Sequence, residues 1–170
     1  MSENHALTIH PIKAKFGLKK DYLTTIKNGC LIFEFIPTSQ LSTNSQNTTF
    51  IGQSTRNFNW ENKEIFVIDP KKCANILLID PIKKEDFNLN FSYLKDGSKK
   101  SLNITPDWKS SQINISFSNV HQATERQYTS DIQVIDFLLI QKMIDYSLPF
   151  MMGWNILENS KLANEDIINN

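Results

Sequence analysis

Alternation of apolar and polar positions with a period of two runs through most of the chain, and it gives way once to a long apolar stretch. Ala6–Pro11 places Leu7 and Ile9 on one face and Thr8 and His10 on the other, the pattern of a half-buried strand. Leu23–Ile26 and the largely apolar Cys30–Ile36 follow. Asn28-Gly29 between them is the residue pair that a two-residue type I′ turn favours, so the two segments are predicted to form a hairpin. Further strands are predicted over Glu64–Ile68, Asn75–Asp80, Phe87–Lys95, Lys100–Pro106, Gln112–Phe117 and Glu125–Thr129, with a turn at Asp96-Gly97. Phe87, Leu89, Phe91 and Tyr93 share one face of their strand. Asp69 as N-cap with Pro70 at the first helical position predicts a short helical turn through Ala74. The pattern amounts to about eight strands in two groups of four, with a short helix between them, which is the α+β class.

The exception is Ser130–Asn159. Ser130 and Gln133 have the spacing of a capping box, and Asp131 adds negative charge where a helix dipole is positive. A helix is therefore predicted from Ser130, breaking and restarting near Pro149. Its apolar residues cover more than the stripe of roughly 100° that packing on one sheet requires. It reads as covering a core on one side and meeting another subunit on the other; burial wholly inside one core is the alternative. Pro37–Thr55 is polar and aperiodic, a long loop of the kind that is functional or mobile, with Phe50 and Ile51 available as anchors. Residues 1–159 read as one domain and 160–170 as a polar tail.

Composition narrows the function classes. Hydrophobic residues make up 40% of the 170 and aromatic residues 11%, which is ordinary for a folded domain. Eighteen basic residues balance eighteen acidic ones, so a partner held by net charge alone is disfavoured. Any nucleic-acid partner has to be held by stacking or by a local basic patch. The sequence shows no secretory signal, no transit-peptide character and no membrane span, because Asp136, Lys142 and Asp145 interrupt the best apolar run. Cys30 and Cys73 belong to no C-x-x-C pair, and buried thiols in a reducing compartment are the expectation. Phosphate-cradling glycine loops, zinc-protease helices and nucleophile elbows are absent, and the three histidines are scattered. No catalytic residue, metal or cofactor is predicted.

Four segments, in order, resemble the Whirly family. Leu148-Pro149-Phe150-Met151-Met152-Gly153-Trp154 is similar to the family's LPYLLGW, and Ala6-Leu7-Thr8-Ile9-His10-Pro11 to its ALTVEP. Asn28 to Pro37 resembles DGFLLLQFAP, and Arg56-Asn57-Phe58-Asn59-Trp60 with Lys63 resembles RQYDW and its following lysine. The resemblance implies two four-stranded antiparallel sheets packed roughly crosswise, a short helix between them, and a long C-terminal helical hairpin at the centre of a homotetramer. It also implies single-stranded DNA held along the sheets with little sequence preference, serving DNA maintenance, repair or transcription in an organelle or the nucleus. The family's Lys-Gly-Lys before the first strand is Ser2-Glu3-Asn4 here, which leaves assembly beyond a tetramer open. RNA binding on the same fold, and a structural subunit without nucleic-acid affinity, remain alternatives.

Single-strand binding without base readout needs aromatic platforms beside cations. Candidates are Arg56, Phe58, Trp60 and Lys63; then Lys13, Lys15 and Phe16; then Tyr93 and Lys95 at a strand end. Each has a plain alternative: Trp60 packing a sheet edge, a solvated basic loop around Phe16, and core burial at Tyr93. Phe33 and Phe35 read as core, and Trp154 as packing.

Overall fold

The computed structural model describes residues 5–19, 22–38, 58–122 and 124–154. Residues 39–57, which hold most of the expected Pro37–Thr55 loop with Phe50 and Ile51 and also Arg56, lie outside them, as do Ser2-Glu3-Asn4, the expected second arm of a helical hairpin beyond Trp154, and the expected tail 160–170. Nine strands and two helices are formed among the described residues: β1 His5–Ile12, β2 Lys15–Lys19, β3 Tyr22–Lys27, β4 Cys30–Pro37, β5 Glu64–Ile68, α1 Pro70–Leu77, β6 Leu89–Lys95, β7 Ser98–Asp107, β8 Gln112–His121, β9 Thr124–Gln133 and α2 Val134–Met152. The predicted pair of four-stranded sheets becomes a three-stranded sheet in the order β1-β4-β5, a two-stranded β2-β3 piece, and a four-stranded meander β6-β7-β8-β9. All described pairings are antiparallel.

The first-half difference has a specific cause. β1 and β2 run as one arm against β3 and β4: Ile12 faces Cys30, and Lys15 faces Lys27. The ribbon is broken at Lys13-Ala14 and at Asn28-Gly29, where the end of α2 meets both arms. Ala14 N–H donates to the Phe150 carbonyl at 3.1 Å, and Gly29 N–H to the Met151 carbonyl at 3.0 Å. Helix-end carbonyls lack the i+4 amide of a continuing helix, and the strand amides bond to them here. Asn28-Gly29 is accordingly not a hairpin turn, and neither residue has positive φ. Glycine is needed there for closeness: a Cβ on Gly29 would lie 2.5 Å from Met151 Cα and 2.6 Å from its carbonyl oxygen. Asp96-Gly97, by contrast, has φ of 52° and 74° and joins β6 to β7 at Lys95 and Ser98, as a type I′ turn requires.

Three other expectations are corrected. Asn75–Asp80 is not a strand, because α1 runs to Leu77 before a turn. Gln141, projecting from α2, donates to the carbonyls of Ile76 at 2.8 Å and Ile79 at 2.7 Å and so caps the end of α1. The start of α1 is as expected, with Asp69 accepting from Lys72 N–H at 3.0 Å and Pro70 first in the helix. The capping box at Ser130 does not form, since β9 continues through Gln133 and α2 starts at Val134. Ser130 Oγ instead meets His5 Nε2 at 2.7 Å, and Asp131 accepts from Asn114 at 2.8 Å. β8 supplies a complete ladder for those residues, and pairing outweighs a local cap. Nor does α2 break at Pro149. It continues to Met152 and ends at Gly153, whose φ of 77° is the left-handed stop.

Leu31, Phe33 and Phe35 from β4 and Phe66 and Ile68 from β5 face Phe91, Leu102, Ile104, Ile115 and Phe117 of the meander. Cys73 and Ile76 of α1 and Phe137, Ile144 and Met151 of α2 close the same core. Phe35 stacks on Phe117 with ring centroids 5.0 Å apart, a contact that adds about 0.5–1.5 kcal/mol beyond its burial. Both cysteines are free thiols.

Candidate nucleic-acid interface

The inner face of the meander changes character along its strands. Residues directly opposite one another share a face, so the ladder register defines rows across the sheet. One row, Phe91–Leu102–Phe117–Tyr128, is core. The next is Tyr93–Lys100–Asn119–Arg126, and the last is Lys95–Ser98–His121–Thr124. The face is therefore apolar where β4 and β5 cover it, and turns aromatic, cationic and polar where that cover ends. Each row crosses three inter-strand spacings, about 14 Å.

Where the rows emerge, a groove of about 440 Å³ opens between them and β5, with Ile65 and Val67 on one wall and Tyr93, Lys95, Lys100 and His121 on the other. Tyr93 is half-buried against Phe66, ring centroids 5.1 Å apart. Burial, with a smaller contribution from the Glu64 charge, raises its phenol pKa. The phenol thus stays a neutral donor in the lining of the groove.

Glu64 sits at the base of this region with its side chain 10% exposed. Lys100 Nζ binds its Oε2 at 3.0 Å and also the Ile65 carbonyl at 3.2 Å. Asn119 donates to Oε2 at 3.0 Å, Arg126 donates to Oε1 at 3.2 Å, and Ser98 is hydrogen-bonded to Asn119. One carboxylate thus holds two cations and ties β5 to β7, β8 and β9.

The sequence-derived candidates separate into groups. Tyr93 and Lys95 lie in the groove, in adjacent rows. Lys63 directly precedes β5, and its charge is taken by Glu34 at 2.6 Å, with Thr8 also donating to Glu34 at 3.2 Å. Lys63 is the main cause of the lowered pKa of that carboxyl. Trp60 stands 56% exposed on a short 3₁₀ turn that Asn59 caps. Phe58 is half-buried and bridges Thr38. Lys13 and Lys15 are exposed on the ribbon with Lys27, and none of the three has an ion-pair partner among the described residues. Phe16 packs on the end of α2, where a Cβ on Gly153 would overlap its ring. Arg56 lies outside the described residues.

Sequence reasoning missed Lys100 and His121, which line the groove, and Arg126, which shares a row with Tyr93 and Lys100. A signal was present. Each continues the inward parity of its strand, Lys100 before Leu102, His121 after Phe117 and Arg126 before Tyr128. Polar residues on the buried parity mark a face that outruns its cover. Among the described residues no group of three His, Cys, Asp or Glu side chains is placed to hold a metal, and no helix is long and apolar enough to cross a membrane.

A three-stranded and a four-stranded antiparallel sheet around one core, closed by two helices and with a cleft beside β5, define a two-sheet α+β platform fold. The sequence model of the family described as Whirly transcription factor matches residues 2–142. The chain belongs to the Whirly family. It is 23% identical over 158 residues to the mitochondrial single-stranded DNA-binding protein WHY2 of Arabidopsis thaliana, covering 89% of this chain and 60% of that protein. It is 22% identical over 163 residues to the chloroplastic single-stranded DNA-binding protein WHY3 of the same plant, covering 91% of this chain and 55% of that one. The chain thus spans little more than half the length of these relatives. The crystal structures of Arabidopsis WHY3 and WHY1 share the fold, with TM-scores of 0.74 and 0.76 at 19% and 18% identity, covering 97% and 96% of this chain and 93% and 88% of theirs.

Proposed function

We propose that this protein binds single-stranded DNA with little sequence preference, serving DNA maintenance, repair or transcription. The observation that carries the reading is the cleft where Tyr93, Lys95, Lys100 and His121 converge beside the apolar wall of β5, with Arg126 at the β9 end of the same row as Tyr93 and Lys100. A surface of this kind offers a ring to stack on and cations for phosphates, without the dense donor and acceptor array that reading base edges requires. Trp60, Lys63 and Phe58, which precede β5 in the chain, and Lys13 and Lys15 on the ribbon are further rings and cations in this reading. The names of the mitochondrial and chloroplastic relatives support the same reading and an organellar location.

The second half of the proposal is a homotetramer built on α2. Ile135, Leu139, Tyr146 and Phe150 follow one another at helical spacing and are 61%, 62%, 77% and 39% exposed. An apolar stripe of that length on one helix fits another copy of itself about a closed symmetry axis. A structural subunit without nucleic-acid affinity is favoured by one observation, the neutralisation of Lys63, Lys100 and Arg126 by internal carboxylates.

A gel-shift series with single-stranded DNA, single-stranded RNA and duplex, each at low and raised salt, separates these readings. The expected result is retention of single-stranded DNA that weakens with salt. Preference for RNA would transfer the proposal to that polymer, and no shift at low salt would leave the structural subunit.

A further inference from the structure

The cluster on Glu64 holds more positive charge than one carboxylate needs. Lys100 is the inner partner: its side chain is 22% exposed, and its ammonium is fixed by both Glu64 and the Ile65 carbonyl. Arg126 is the outer one, 52% exposed and held through a single 3.2 Å bond to the other carboxylate oxygen. A guanidinium has five donors, so most of its capacity remains directed elsewhere. If Arg126 swings away, Glu64 is not stranded, because Lys100 and Asn119 still hold Oε2. Stripping a buried carboxylate of all partners is strongly unfavourable, whereas releasing one of two cations from a half-exposed pair costs little.

We infer that Glu64 acts as an internal stand-in for a backbone phosphate, and that bound single-stranded nucleic acid takes Arg126 from it while Lys100 stays. The inference rests on the proposed binding of single strands and assigns one phosphate position within it, at the β9 end of the Tyr93–Lys100–Asn119–Arg126 row. Guanidinium is suited to the exchange because its planar fork meets carboxylate and phosphate oxygens in the same geometry. Binding is then weakened by competition from inside the protein, which sets affinity without altering the groove's shape.

The test is a double-mutant cycle on the full chain, read by fluorescence anisotropy of a fluorescein-labelled oligothymidylate over a salt series. Glu64→Gln removes the competitor and is expected to tighten binding about two- to fivefold, the range of a half-exposed ion pair. Arg126→Gln lies on a half-exposed side chain, so the fold tolerates it. It is expected to weaken binding and to reduce the magnitude of the log–log salt slope by about 0.7, the value of one single-strand phosphate contact. In the Arg126→Gln background, Glu64→Gln is expected to give no gain. Two results overturn the inference while leaving single-strand binding intact: an unchanged slope in Arg126→Gln, or an equal gain from Glu64→Gln in both backgrounds, which is the effect of net charge alone. A wild-type protein that does not bind the oligonucleotide overturns both the inference and the reading beneath it.

Discussion

Replacing Gly29 by alanine probes the point on which the first half of the fold turns. The added methyl has to occupy space 2.5 Å from Met151 Cα and 2.6 Å from its carbonyl oxygen, beside the Ile12 carbonyl. All three are backbone atoms, so no side chain can rotate to make room. Forcing a methyl group into a filled site costs roughly 1–3 kcal/mol. Moving α2 away also lengthens the 3.0 Å bond from Gly29 N–H to Met151, a loss of about 0.5–1.5 kcal/mol. Against this stands a gain of roughly 0.4–1 kcal/mol from stiffening the unfolded chain, available because φ at Gly29 is not positive. The net expectation is a destabilisation of about 2 kcal/mol, or roughly 4–8 °C in a chain of this size. Urea titration at one fixed protein concentration, with and without the substitution, measures it. Asn28→Ala is the companion: exposed and without positive φ, it should change stability by no more than about 0.5 kcal/mol. In a type I′ turn both residues would need the left-handed region, and each alanine would cost about 1–2 kcal/mol. Equal losses in the two variants would refute the pinched ribbon.

Trp60→Ala, on a side chain 56% exposed, should leave stability nearly unchanged and, if the ring carries a base, weaken single-strand binding by about 1–3 kcal/mol, read by anisotropy. Leu139→Lys on the 62% exposed face of α2 should lower the oligomeric state in light scattering while the far-ultraviolet dichroism holds. Lys63 and, less strongly, Thr8 hold the Glu34 carboxyl below its usual pKa. The unfolded chain therefore takes up that proton first, so its contribution to stability is whole above about pH 4.3 and is lost as pH falls through the lower folded value. Glu34→Gln should flatten that acid limb in urea titrations repeated across pH. Burial, with the nearby Asp69 charge, pushes the Cys73 thiol up to about 12, so a thiol reagent at neutral pH should spare Cys73 in the native protein and label it once unfolded.

Strands were legible wherever both neighbours of a strand lay close in sequence. β6 through β9 follow the alternation because each packs one face and pairs with a strand adjacent to it in sequence, so local pattern and global fold agree. The errors fall where a distant element decides. Asn28-Gly29 and Asp96-Gly97 look equivalent as dipeptides, yet only the second forms the turn, because the end of α2 occupies the space beside Gly29. Ser130 has the chemistry of a cap, but β8 runs opposite it and offers a ladder instead. Asn75–Asp80 has the apolar run of a strand, and Gln141, far along the chain, closes it as the end of a helix. The groove was half legible for the same reason. Tyr93 and Lys95 stand out as an aromatic and a cation on one strand, whereas Lys100 and Arg126 join them only through the register of four strands.

Photo-crosslinking of an iodouracil-substituted single strand, mapped by mass spectrometry, tests the central claim most directly. Adducts on Tyr93 or His121, or on peptides of β5 and β7 that line the same groove, are the predicted result. Adducts confined to Tyr146 and Phe150 on the exposed face of α2, with none in the groove, would contradict it.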